Sequence, residues 1–517
     1  MTRFEQGWRA AGILFPLSSL PTSLGVGDLG PSAEKFAEFL RASGISFWQI
    51  LPLGPTSPGL GNSPYSSFSA FAGHDLYVSP ELMFRDGLLD ARDLKDAEIG
   101  ETRAVNHEKA GALKKALIDK AFLRAEKRLE DSAEFGEFCR FNGSWLNDYA
   151  FFAAAKERFA NAVWTEWPDD VKYRRDEALA ATGTALRREI LRVKFGQWLF
   201  FKQLEKLKKR LAEPGISLVG DAPFYVNHDS ADVWANRHLF CLDHRGETAL
   251  MAGVPPDYYS KTGQLWGNPV YDWPRHKESG HAWWRSRIRH NLGLFDWVRL
   301  DHFRAFSAFW AVAAGEKTAE KGVWKPGPGR ELFEFPDLTG PLKIMAEDLG
   351  IITPDVTALR KSLGLPGVRV LQFGVGDPTG LSIHCPYRVE PDNVIFSSTH
   401  DTDTAVGWWK NELTPGARKV VSETVGYEVT EKNIAPAMVR LAWLSPAAVA
   451  VTTIQDLLGA DERERVNVPG TASGNWTWKL PDFAPLSEKL SERLLELTNL
   501  AGRDNQPHPN ILTYRDL

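Results

Sequence analysis

Among 517 residues there are only three cysteines, Cys139, Cys241 and Cys385. They are odd in number, far apart and at no zinc-ligand spacing, so neither a disulfide framework nor a structural zinc site is expected. No uninterrupted apolar run approaches the ~20 residues that a membrane span needs. The first residues, Met1-Thr2-Arg3-Phe4-Glu5-Gln6-Gly7, lack the apolar core of a secretory signal. Basic charge is not in excess: the net charge is −5 and the pI near 6.2, which argues against nucleic acid or an anionic membrane as a partner. No repeat occurs at a solenoid period. These absences leave a soluble globular protein of a reducing cytoplasm, its cysteines inert core residues.

What is abundant is aromatic: 19 Trp, 29 Phe and 11 Tyr. Most of these rings are expected in the core. A cleft for sugars would give some a second use, because the C–H faces of a sugar ring pack on flat aromatic surfaces while polar neighbours take its hydroxyls.

Short apolar runs alternate with amphipathic stretches. Predicted strands cover residues 12–15, 47–51, 216–221, 296–301, 342–347, 368–371, 393–396 and 447–452. Helices are expected at 32–42, stopping at Gly44, and from Thr353-Pro354 to Leu363, where the pair reads as an N-cap with proline at N1. Eight strands with helix-capable connections predict an α/β fold, a (β/α)8 TIM barrel. A doubly wound open sheet has the same periodicity and stays open as the alternative. The spacing is uneven. Residues 1–75 start the barrel, 76–214 read as a mostly helical insertion between strands two and three, and 215–517 complete the barrel. Within the insertion, residues 107–130 form a long amphipathic helix whose charged residues are expected to face solvent, and 190–211 a second long helix leading back to strand three.

Barrel enzymes carry their chemistry at the C-terminal ends of the strands. Four predicted strands end in ionisable residues: Asp221, Asp301, Glu347-Asp348 and His400-Asp401. One strand-end aspartate is as often a cap or an ion-pair partner. Three strands that deliver carboxylates to one rim are harder to dismiss. Arg299 lies two residues before Asp301 and so on the same strand face. There it favours the ionised carboxylate that a nucleophile requires, whereas a general acid needs the raised pKa of a drier setting.

The motifs around these residues resemble glycoside hydrolase family 77, the amylomaltases or disproportionating enzymes of the α-amylase clan. They run almost end to end: residues 12–21 (GILFPLSSLP), Gly61-Asn62-Ser63-Pro64-Tyr65, Gly220-Asp221-Ala222-Pro223, Arg299-Leu300-Asp301-His302-Phe303-Arg304, Ala346-Glu347-Asp348-Leu349-Gly350 and Thr399-His400-Asp401. Gln455-Asp456, Asn467-Val468-Pro469-Gly470-Thr471 and Asn475-Trp476-Thr477-Trp478 complete the set. Residues 253–269, from Gly253-Val254-Pro255-Pro256-Asp257-Tyr258-Tyr259 to Trp266-Gly267-Asn268-Pro269, look like the long loop that covers the active site in this family and is absent from ordinary α-amylases. The sequence departs from the family pattern at 374–376, at 384–387, at Phe396-Ser397-Ser398 (usually Tyr-Thr-Gly) and at Thr402 (usually Asn).

The resemblance implies a 4-α-glucanotransferase that moves α-1,4-glucan segments by retaining double displacement, without metal or organic cofactor. Asp301 would be the nucleophile, Glu347 the acid/base, and Asp401 the third carboxylate. Ser63, Tyr65, Asp221, Asp257, Tyr258, Tyr259, Gln264, Trp266, Arg299, His302, His400, Asn467 and Pro469 would bind substrate, and Trp476 and Trp478 are expected in the core. An α-amylase-like hydrolase is the enzymatic alternative. A catalytically dead glucan-binding protein is the non-enzymatic one, and the intact carboxylate set argues against it.

Overall fold

Parallel strands buried on both faces are short and continuously apolar, and the predicted runs take that form. The computed structural model describes residues 8–100, 102–256, 260–335, 340–471 and 473–504; Asp257, Tyr258 and Tyr259 lie outside them. In chain order the strands are β1 (Ala10–Leu14), β2 (Phe47–Gln49), β3 (Ser217–Ala222), β4 (Leu250–Val254), β5 (Gln264–Pro269), β6 (Trp297–Leu300), β7 (Ala308–Ala313), β8 (Val323–Pro326), β9 (Ile344–Ala346), β10 (Gly367–Val370), β11 (Asn393–Phe396) and β12 (Val449–Thr453). Eight of them close a parallel barrel in the order β1-β12-β11-β10-β9-β6-β3-β2. Closure excludes the open doubly wound sheet. Phe47, Val219, Trp297, Met345, Val368, Val394 and Val449 pack together as an apolar cluster of barrel-strand side chains, as expected of a filled rather than hollow barrel.

The barrel's seam is sealed from below. β1 pairs with β12 through Ala10↔Val449 and with β2 through Gly12↔Phe47. Under this seam lies Arg503, fully buried. Its guanidinium donates to five carbonyl oxygens, those of Trp443, Ala10, Ala448, Ser445 and Ala447. Burial pushes its pKa well down. The carbonyls at the C-terminal end of helix Ile434–Leu444 supply partial negative charge in place of a carboxylate.

Between β2 and β3 the described elements are all helical, among them His107–Leu129, Gly143–Arg158 and Arg187–Ala212. Helix Arg187–Ala212 packs on the barrel helix Pro31–Ala42 and leads into β3, so it belongs to the barrel's outer layer as well. Not every charge of the insertion is solvated: Lys114 is 1% exposed and binds Asp28 and the Val78 carbonyl, tying the insertion to the loop after β1. Helix Pro354–Ser362 starts after Thr353, whose hydroxyl makes no cap bond. No described helix is long and apolar enough to cross a membrane.

The stretch 253–269, expected as one loop, is partly strand. β4 and β5 form a hairpin in a separate four-stranded antiparallel sheet, β5-β4-β7-β8. Gly263, at φ +69°, closes the hairpin where a Cβ would sit 2.3 Å from the Val254 carbonyl oxygen, so only glycine fits.

Candidate active site

The rim of the barrel collects its charges in one connected network. Arg299, on β6, points its Nη1 between two carboxylates, 2.9 Å from Asp301 Oδ1 and 2.9 Å from each oxygen of Asp221 on β3. Burial would lower the guanidinium's pKa, but the two aspartates outweigh it and hold the charge firmly in place. Asp221 is pushed up by burial and pulled back by Arg299. The strand period of two thus places Arg299 beside Asp301, as expected.

The Tyr65 hydroxyl donates to Asp221 Oδ2 at 2.7 Å and lies 2.8 Å from His400 Nε2. His400 Nε2 is also 3.1 Å from Asp401 Oδ2. Burial works against charge on His400, yet the neighbouring Asp401 carboxylate raises its pKa overall. Burial likewise opposes charge on Asp401, but His400 and Asn467 hold it well below the usual carboxylate range. Asn467 Nδ2 donates to Asp401 Oδ1 at 2.7 Å. Polar contacts therefore run unbroken from Asn467 through Asp401, His400, Tyr65, Asp221 and Arg299 to Asp301.

Glu347, at the end of β9, has a different environment. Its Oε2 accepts the backbone N–H of His302 at 2.7 Å and its Oε1 that of Leu349 at 2.9 Å. The first bond depends on a left-handed turn: His302 has φ +50°, a conformation that costs a non-glycine residue free energy and clusters at functional sites. Burial raises the Glu347 pKa to about 7, with Arg299 lowering and Asp301 raising it. One carboxyl beside a fixed cation and another held partly protonated near neutrality are the two environments that acid/base glycoside chemistry requires.

The His302 ring has burial lowering its pKa to about 4, so it is neutral near pH 7. The Trp266 ring meets it edge-on at 4.9 Å, which brings β5 over the site. The Trp266 indole N–H donates to Gln264 Oε1 at 3.2 Å. Ser63 Oγ accepts the Tyr65 N–H. Pro469 is exposed two residues beyond Asn467.

Three neighbours of the site were not anticipated. Arg465 donates to the Asp401 carbonyl at 2.6 Å. Tyr225 lies beside Trp266 and His302, with centroids at 6.0 and 6.3 Å. Trp476, expected in the core, packs against it partly buried and also lies near Tyr65 and His400; Trp478 is buried as expected. The departures from the family pattern have local partners. Ser397 and Ser398 both donate to Asp456 Oδ2, at 2.7 and 2.6 Å, and Thr402 Oγ1 accepts the Thr399 N–H at 3.0 Å. Gly374 leaves room for the 384–385 backbone, which a Cβ would approach to 2.4 Å.

Comparison with known proteins agrees with this geometry. A family model for 4-alpha-glucanotransferase of glycoside hydrolase family 77 matches residues 15–485. The 4-alpha-glucanotransferase of Synechocystis sp. is 44% identical over 96% of this chain and 98% of its own. That of Aquifex aeolicus is 43% identical over 94% and 98%. Among solved structures, the amylomaltase from Streptococcus agalactiae in complex with acarbose superposes with a TM-score of 0.89 at 35% identity, covering 96% of this chain and 99% of that one. The chain belongs to the 4-alpha-glucanotransferases of glycoside hydrolase family 77, enzymes that transfer α-1,4-glucan segments from one chain to another.

Proposed function

We propose that Asp301, Glu347 and Asp401 perform this transfer by retaining double displacement. The observation that carries the assignment is the contrast between Asp301, paired to Arg299 at 2.9 Å, and Glu347, with a pKa near 7. Asp301 attacks the anomeric carbon of the donor. The C1–O bond breaks and the leaving 4-oxygen takes the Glu347 proton, leaving a glycosyl ester on Asp301. The 4-OH of an acceptor glucan then gives its proton to Glu347 and attacks the same carbon, which releases Asp301. Two inversions retain the α configuration. Asp401, braced by His400 and Asn467, binds sugar hydroxyls and favours the distorted ring of the transition state. Ser63, Tyr65, Asp221, Gln264, Trp266, Arg299, His302 and Pro469 are assigned to substrate contacts or to orienting them, and the family resemblance extends this to Asp257, Tyr258 and Tyr259.

Donor and acceptor are α-1,4-glucans. Transfer requires the acceptor to outcompete ~55 M water, a matter of positioning and solvent exclusion, and Trp266 on β5 serves that end. The free state of Cys139, Cys241 and Cys385 supports a reducing cytoplasm. The net charge of −5 supports a partner set without nucleic acid or membrane. Maltotriose is the test. Each transfer breaks and makes one bond, so the protein should yield glucose and a ladder of longer maltodextrins at constant reducing-end concentration. Glucose and maltose alone, with reducing ends rising steadily, would favour the hydrolase instead.

A further inference from the structure

Asp456, a carboxylate that the mechanism above does not use, is 1% exposed and stands in the first turn of helix Ile454–Leu458, directly after β12. Its own N–H is capped by Thr453 Oγ1 at 3.3 Å. Its Oδ2 accepts the hydroxyls of Ser397 and Ser398, at 2.7 and 2.6 Å, and its Oδ1 accepts the N–H of Ala405 at 2.7 Å. A carboxylate only accepts, so both serine hydroxyls give it their protons, and their oxygens also meet the hydroxyls of Thr452 and Thr453 at 2.9 and 2.8 Å. Burying a carboxylate is costly unless its lone pairs are met. Here burial pushes the Asp456 pKa up, and the hydroxyls and the amide pull it back.

These partners are not scattered along the chain. Ser397 and Ser398 follow β11 at once, and Ala405 opens helix Ala405–Asn411. Between them runs the loop Thr399–Thr404, which carries His400 and Asp401. One side chain therefore holds both ends of that loop, with one oxygen at each end. The middle is held separately, by Gln372 Nε2 donating to the Asp403 carbonyl at 2.8 Å and by Arg465 donating to that of Asp401. His400 Nε2 in turn stands between the Tyr65 hydroxyl and Asp401. Such a geometry tolerates little displacement, because a shift of about 1 Å can cost on the order of a hundredfold in rate. Ser397, Ser398 and Asp456 are all buried, so none of them is open to a sugar.

We infer that Asp456 is a positioning residue for the transfer: by gripping Ser398 and Ala405 it fixes where His400 and Asp401 meet the distorted sugar ring. The inference rests on the role proposed above for Asp401. Asp401 serves the distorted ring more than the relaxed one. A loosened loop therefore costs the transition state more than the bound substrate, which lowers kcat and leaves KM nearly where it was.

Asp456→Ala releases both ends of the loop, and Ser398→Ala chiefly the first. Asp456→Asn keeps the grip without the charge: its oxygen accepts the Ala405 N–H, and its Nδ2 donates to the serine oxygens, whose protons turn to Thr452 and Thr453. Kinetics with maltotriose well below each Tm, and hydrogen exchange at residues 399–404, are the readouts. Asp456→Ala should lower kcat at least about tenfold with KM within about twofold, while Asp456→Asn stays within about threefold of the parent and Ser398→Ala lies between. Exchange at 399–404 should quicken in the same order. Parent-like kcat in Asp456→Ala, with only Tm lowered, overturns the inference, and so does a loss confined to KM. Asp456→Asn as slow as Asp456→Ala overturns it too, since charge and not grip would then be at work. Should Asp456→Ala not fold, Ser398→Ala decides, and parent-like kcat and exchange there overturn the inference. If Asp401→Asn turns over maltotriose as the parent does, the role of Asp401 falls, while exchange at 399–404 still decides whether Asp456 holds the loop.

Discussion

Replacing Glu347 by glutamine should abolish transfer and also change how stability depends on pH. Burial raises this carboxyl from its usual 4.5 to about 7, so between those values the folded state binds a proton that the unfolded state has released. The favourable contribution is complete below about pH 4.5 and disappears as pH rises through about 7. The rise corresponds to about 3 kcal/mol. Glutamine cannot ionise and avoids that dependence. It also places an amide N–H2 opposite the N–H of His302 or Leu349, each now donating to a carboxylate oxygen, a pH-independent loss of about 1–2 kcal/mol. The informative quantity is therefore the change in the stability difference between pH 4 and pH 8. For 517 residues, about 1.1 kcal/mol corresponds to one degree of Tm. Relative to the parent, the E347Q protein should gain about 3 °C from pH 4 to pH 8, read by calorimetry at fixed scan rate and ionic strength. In the parent, kcat/KM should show an alkaline limb near pH 7. A Tm difference that is flat with pH, or that grows towards acid, would refute the reasoning.

Tyr65→Phe keeps the stacking on His400 but removes the hydroxyl that bonds Asp221 and contacts His400; kcat/KM for maltodextrins should fall on the order of 10- to 100-fold, with Tm nearly unchanged. Asn467→Ala removes a donor from Asp401, and steady-state kinetics should show kcat/KM down about tenfold. Arg503→Met strands carbonyls that Arg503 now satisfies; thermal unfolding should register a loss on the order of 4 kcal/mol. That substitution lies at the far end of the barrel from the carboxylates, so kcat should not move.

All eight barrel strands were legible because buried parallel strands need no alternation, only short apolar runs such as 393–396 between turns. The antiparallel sheet was not. β5 reads Gln-Leu-Trp-Gly-Asn-Pro, half-exposed and carrying glycine and proline, and its pairing with β4 is a tertiary fact without periodic signature. Asp301, Glu347 and Asp401 were legible as polar residues closing apolar runs, and Arg299 by alternation. That Trp476 also stands beside Tyr65 and His400 was not legible, because tryptophan content points only to burial. Lys114 looked solvated because its partner, Asp28, is 86 residues away. Arg465 stands two residues before Asn467, and its bond runs from side chain to backbone, a contact that residue identity does not encode.

The seam under β1 and β12 also bears on the order in which the protein is made. Arg503 bonds the Ala10 carbonyl across 493 residues of sequence, so the first strand has its final neighbours only once nearly all of the chain has been synthesised. Until then β1 can pair with β2 alone, and its other edge is an open strand. A nascent chain of this enzyme is thus a barrel with one stave missing, and the edge of β1 is the surface that a chaperone would have to guard.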